Sequence, residues 1–315
     1  MCGSNNKNMQ AKAQNKDENG IYTADDLCAF TFAINNNKDL RSWQAEDGKI
    51  HLKADIDMID VGSNQIGAGT IFRGVFDGEG HVISNITIQK KLGAVGLFGN
   101  NVGMIKNVHV RSATISSHLQ TAVGGIVGCN RGYIMGCSFE GQLYMGNHVG
   151  GIAGKNHGLV LACYMINLHE DHVNLNWNPR DRNIFGGIVG YNTGTIFACY
   201  SNYFSYHLLN NERNYYHGII AGADTGKISH CYWRPSANEI GKTNQAKGIG
   251  NAEGSDITFC TQEDVTGILN LSLNSSPISC EYKFKGAWPN WKFEKRSIED
   301  GILQFETLPN DDSNP

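Results

Sequence analysis

The sequence predicts an all-β fold, a parallel β-helix (solenoid) of about seven coils between a small N-terminal helix/strand cap and a C-terminal cap. Three observations predict it. One pattern recurs down the chain: an apolar pair, Gly, three residues, Gly, then an apolar residue two later. Each copy holds two short apolar runs around an Asn-x-Gly bend, too short for helices and rich in Val, Ile, Cys and Phe. The 315 residues include 38 Gly and only 6 Pro, with 18% charged residues, which suits many tight turns around a packed interior.

The copies read LFGNNVGMI (Leu97–Ile105), IVGCNRGYI (Ile126–Ile134), IAGKNHGLV (Ile152–Val160), IVGYNTGTI (Ile188–Ile196) and IAGADTGKI (Ile220–Ile228). The second Gly always lies four residues after the first, while the copies themselves start 29, 26, 36 and 32 residues apart. Two residues after the first Gly stands Asn101, Asn130, Asn156, Asn192 or Asp224. Nine after it stands Val108, Cys137, Cys163, Cys199 or Cys231. FDGEGHVISNITI (Phe76–Ile88) is a degenerate copy in which Asn85-Ile86 answers Asn107-Val108. GIGNAEGSDITFC (Gly248–Cys260) is another, ending at Cys260. Asn and Gly tolerate positive φ, so Asn-x-Gly marks a bend. A unit of this length with short strands and fixed bends is one solenoid coil, and equivalent positions then form ladders. A β-propeller blade needs four strands, and the 26-residue copy is too short for that.

The ends differ. Residues 1–20 are polar and form a tail. Residues 21–60 form the N-terminal cap: Thr23 is the N-cap of a helix with Asp25 and Asp26 in its first turn and Leu27, Phe30 and Ile34 on one face. Lys49–Met58 alternates as a strand, with Ile50, Leu52, Ala54, Ile56 and Met58 on one side. The repeats occupy 61–262. Residues 263–315, with Trp288, Trp291, Phe293 and Phe305, form a C-terminal cap or last strands.

Net charge is −4, which disfavours a nucleic-acid partner read through a basic surface. No segment qualifies as a transmembrane helix. The opening MCGSNNKN looks like a trimmed bacterial lipoprotein, with Cys2 as the lipid attachment; an ordinary gene start is the alternative.

The GLFG and GGIVG-x-N-x-G-x-I-x-x-C series, the IYTADDL helix, the LKADIDM strand and FDGEGHVISN together resemble the GLUG-motif repeat proteins of bacterial surfaces. WPNW at Trp288–Trp291 and LPN at Leu308–Asn310 fit the family's ending more loosely. The resemblance covers about residues 21–310. It implies a right-handed parallel β-helix, exported and often lipid-anchored, here on the cell surface or outer membrane of a Gram-negative bacterium. Such repeats occur in adhesins and as accessory segments of a surface immunoglobulin-cleaving peptidase. The family has no accepted catalytic residues, so none carries over. The long insertions after the Cys ladder depart from its compact spacing.

Four of the nine Cys fall on one repeat position beside apolar residues, and no C-x-x-C pair exists. They are expected as buried free thiols, with disulfides between stacked neighbours as the alternative. His169 and His172, in the run His-Glu-Asp-His, are metal-ligand types, but nothing supplies a third ligand. No cofactor is expected.

Three insertions, Tyr164–Ile184, Tyr200–His217 and Tyr232–Lys247, follow the ladder position and so leave one side of the rod. They bring Trp177, Arg180, Arg182, Tyr206, Tyr216, Trp233 and Arg234, types suited to sugar rings or a protein partner. The reading is a monomeric, non-catalytic surface protein, adhesin-like, binding an extended glycan or a surface protein. The alternative is a polysaccharide lyase or glycoside hydrolase. That chemistry needs a carboxylate pair or a calcium-bound Asp cluster, and the only charges from Gly96 to Val160 are Lys106, Arg111, Arg131, Glu140 and Lys155.

Overall fold

Successive repeats lie directly on top of one another. Val127 pairs in parallel with Phe98 on one side and Ala153 on the other, and Ala153 pairs with Val189. Ile134 sits between Ile105 and Val160, and Val123 pairs with Val149. Each of the four turns that carry Asn130, Asn156, Asn192 and Asp224 gives one strand to each wall, so the molecule is an all-β parallel solenoid. Its walls are sheets of seven, six, nine and four strands. The computed structural model describes residues 19–117, 121–144, 146–166, 184–201, 216–233 and 250, and the strands Ile257–Phe259, Trp291–Glu294 and Gln304–Thr307. Five turns carry the complete glycine pattern, fewer than the seven coils counted along the sequence, and incomplete turns flank them.

The interior is a stack of like side chains. Phe76, Ile105, Ile134, Val160 and Ile196 form one fully buried row, and Val108, Cys137, Cys163, Cys199 and Cys231 form another. The four cysteines are free thiols, each donating to the backbone carbonyl two residues earlier at 3.2–3.4 Å. Burial pushes the Cys163 and Cys231 thiols up, so they stay protonated.

The repeated glycines have a different cause from the one read in the sequence. Gly103, Gly132, Gly158, Gly194 and Gly226 are absent from the positive-φ residues. What they share is close approach: a Cβ on Gly132 would lie 2.0 Å from the Gly103 carbonyl oxygen, and on Gly158 2.1 Å from that of Gly132. The bends that do need positive φ lie elsewhere, at Asn107, Gly136, Ala162, Ala198 and His230, each immediately before the ladder position.

The helix α1 spans Ala24–Asn35. Thr23 caps it in a full capping box with Asp26, and Leu27, Phe30 and Ile34 are buried. Lys49–Met58 is not one strand. Ile50–His51 pairs with Phe76–Asp77 and Ile56–Asp57 pairs with Ile83–Ser84, in two different sheets. The segment turns a corner and is itself the first coil, so the solenoid starts inside the region read as cap. Register also corrects two alignments. Val82 pairs with His109 and Ser84 with Arg111, so Asn85 answers Ser112, and the Gly78–Gly80 turn answers Asn107. Ile257, not Cys260, pairs with Cys231. Trp291–Glu294 and Gln304–Thr307 pair antiparallel, carrying Trp291, Phe293 and Phe305.

Candidate functional site

The scaffold of the site is a ladder of amides. The side-chain N–H of Asn101 donates to Asn130 Oδ1, Asn130 to Asn156 and Asn156 to Asn192, each at 2.8 Å, and Asn192 donates to Asp224 at 2.6 Å. Each Oδ1 also accepts from the backbone N–H of the glycine two residues on, at 3.0–3.3 Å. The backbone offers only a donor there, which fixes which amide atom faces which way. Asn101, Asn130, Asn156 and Asn192 are fully buried. The last rung is a carboxylate, an acceptor that suits the end of a one-way run of donors.

This ladder holds the residues on either side of it to a fixed outward row. Asn100, Cys129, Lys155, Tyr191 and Ala223 are successive register partners immediately before it. Val102, Arg131, His157, Thr193 and Thr225 follow it, and their backbone N–H groups bond to the turn before. The adjoining four-stranded sheet adds Ala122, His148, Ile184 and Tyr216 in a third row. No Asp or Glu stands in any of these rows. Arg131 and Lys155 provide fixed positive charge on neighbouring turns. The His148 ring lies 5.7 Å from that of Tyr191, and His157 Nδ1 bonds to Thr193 Oγ1 at 2.6 Å. Burial, with Lys155 nearby, lowers the His148 pKa to about 4, and burial with Arg131 and Lys155 lowers that of His157. Both imidazoles are therefore neutral at pH 7 and act as hydrogen-bonding groups. Beyond the first rung, a cleft of about 610 Å³ opens between α1 and this face, lined by Ile34, Lys38, Ile71 and Arg73 among others.

The insertions return to this same face. The chain leaves the nine-stranded sheet after Ile166 and after Ser201, and re-enters the four-stranded sheet at Ile184 and Tyr216. The stems are register neighbours, Met165 with Ser201 and Ile184 with Tyr216. The insertions are shorter than the sequence bounds, because Tyr164–Ile166, Tyr200–Ser201 and Cys231–Trp233 are still strand. That corrects Trp233. Strand parity puts it on the same side as Cys231, in the inward row of Phe139, Met165 and Ser201, and it is 7% exposed. Tyr216 is 39% exposed. Of the other sequence candidates, Trp177, Arg180, Arg182, Tyr206, Arg234, His169, His172 and Cys2 lie outside the described residues. Arg131, Lys155, His148 and Tyr191 were missed as a site. They are scattered over residues 131–191 in the sequence, and only the register of the turns brings them together.

Early in the solenoid the acids are already engaged. Asp77, buried, accepts from Lys106 Nζ at 2.6 Å and from Asn107 Nδ2 at 3.1 Å. His51 lies between Asp47 at 3.1 Å and Glu79 at 2.5 Å. Among the described residues no group of three or more His, Cys, Asp and Glu could hold a metal ion.

These features define a ladder-built parallel β-solenoid with a cationic and aromatic face whose described outward rows hold no Asp or Glu. No protein family profile and no curated protein matches the chain. A crystal structure from Bacteroides ovatus, provisionally assigned as an immunoglobulin A1 protease, is similar at TM-score 0.50 and 18% identity, covering 92% of each chain. At that identity the likeness is one of fold.

Proposed function

We propose that this is a non-catalytic, exported surface protein of the GLUG-repeat kind, anchored through Cys2, that binds an extended glycan or a surface protein as a monomer. The observation that carries the reading is the outward face around Arg131, Lys155 and Tyr191. It is rigid, because the asparagine ladder beneath it is fully bonded. It has no carboxylates in its rows, and the aromatic stem residue Tyr216 lies on it. Rigid scaffolds that present long loops beside such a face suit recognition.

A hydrolase or lyase is the second reading, favoured by the description of the Bacteroides ovatus structure as a protease. Against it, Asp77 is spent on Lys106 and Asn107, and the rows of the face lack the acid that general acid catalysis of a glycoside needs. The test is to pass the protein over immobilised glycans and over bacterial and host cell surfaces, and to incubate it with polysaccharides and immunoglobulin A. Capture with intact products is the expected result. Cleavage of any of these would overturn it.

A further inference from the structure

We infer that the face carrying Arg131, Lys155, His157 and Tyr191 binds an acidic polysaccharide, a chain of carboxylated or sulfated sugars lying across successive turns. The inference rests on the binding function proposed above and narrows its ligand.

The first argument is charge pairing. Five other cations of the coils and cap lie beside carboxylates. Lys106 bonds to Asp77 at 2.6 Å, Lys49 to Asp47 at 2.5 Å, Lys53 to Glu79 at 3.1 Å, and Arg41 to Asp39 at 2.5 Å. Arg111 lies 4.0 Å from Glu140. Among the described residues Arg131 and Lys155 have no carboxylate partner, as is also true of Lys38, Arg73, Lys90 and Lys91, but these two stand on neighbouring turns of one face. Two unmatched cations on adjacent turns set a local positive field on a molecule that is negative overall.

The second argument is geometry. Strands in the wall repeat at about 4.8 Å, comparable to the length of one sugar unit, so a polymer crossing the turns meets the same kind of position at each step. Tyr191 follows Lys155 in its row, and His148 packs beside its ring. A braced aromatic beside fixed cations offers stacking for a sugar ring and charge for its acid group. His157, held through Nδ1 by Thr193, has its other ring nitrogen available for a hydroxyl.

The third argument separates a glycan from an acidic peptide. Lys155 and Tyr191 stand on inner strands of the six-stranded sheet, each paired with a turn on either side. An extended peptide binds best by adding a strand to an open edge, and the strands of Lys155 and Tyr191 have none to offer.

The test uses the full chain and titrates polygalacturonate, chondroitin sulfate, neutral dextran and polyglutamate. Binding to at least one of the two acidic polysaccharides, weakening as salt rises, is expected. R131Q/K155Q should weaken it about tenfold or more, and Y191A should weaken it as well. R41Q, outside the face, should leave it unchanged. Melting curves show that the variants are folded. Binding to neither polysaccharide, binding unmoved by R131Q/K155Q, or polyglutamate bound equally well with Y191A silent overturns the inference. If the protein then still captures a neutral glycan or a cell surface, the broader binding function stands; if it captures nothing, that function fails too.

Discussion

Asn156 does the work of several backbone groups with one side chain. It accepts from Asn130 and from the Gly158 N–H, and it donates to Asn192 and to the Gly158 carbonyl, all in a place closed to water. Asn156→Ala therefore leaves at least two buried groups unpaired, and at about 1–3 kcal/mol for each the variant should lose about 2–6 kcal/mol. Denaturant unfolding measures it; a loss below about 1 kcal/mol would mean that the ladder is ornamental. His109 makes the corresponding case for pH. It is buried, bonded through Nδ1 to Ser138 Oγ at 2.7 Å, and burial lowers its pKa to about 4. Its unfolded value is near 6.5, so between those values the unfolded state binds the extra proton. The stabilisation is complete above about pH 6.5 and is lost as pH falls towards 4, by the order of 3 kcal/mol. His148 and His217, also lowered to about 4, act in the same direction. The melting temperature should fall across this window, and His109→Gln should flatten part of the fall.

At the scale of the turn and the strand, two kinds of glycine that look alike in sequence separate by mechanism. Gly194→Ala would set a methyl 2.1 Å from the Gly158 carbonyl oxygen and force two turns apart, whereas Gly48→Ala meets nothing within 4 Å and suffers only its φ of +76°. The first should cost several kcal/mol and the second about 1 kcal/mol; equal melting curves for the two would sink the distinction. The fixed spacing of Gly, Asn and Cys made the coil, its stacking and the inward Cys row legible, because a ladder demands the same residue at the same phase. The N-cap at Thr23 was legible for a similar reason, since the capping box is local. Register was less so. The Gly78–Gly80 turn contains extra residues, and counting from Asn85 slips past them. The outer wall was hidden altogether. Val160 faces the core, so its strand neighbours Leu159 and Leu161 face outward, yet both are fully buried, and Met135 and Phe197 are nearly so. Leu161→Asp should consequently destabilise as severely as Val160→Asp, by several kcal/mol, although alternation alone would make it harmless.

For the whole molecule, the long insertions and the solenoid are separable. Glu140 pairs with Ile166 and His148 pairs with Ile184, so residues 141–147 in one turn and 167–183 in the next join the same two register positions, and Gly141–Tyr144 of the shorter stretch still pair with the turn before. The shorter path closes its turn with the ladder through Asn130, Asn156 and Asn192 intact in the six-stranded sheet. Transplanting the sequence of 141–147 in place of 167–183 should thus keep cooperative unfolding and the free, unreactive state of Cys163 and Cys199. Ordering a long connection costs roughly 1–2 kcal/mol per residue in backbone entropy, so the shortened chain has less to lose on folding. The same variant apportions recognition between loop and wall. Arg131, Lys155 and Tyr191 stand on strands held by the ladder, so binding of polygalacturonate or chondroitin sulfate should survive within a few-fold. If it vanishes while the melting curve and thiol protection stay those of the full chain, the insertion supplies the contacts and the strand face only supports it.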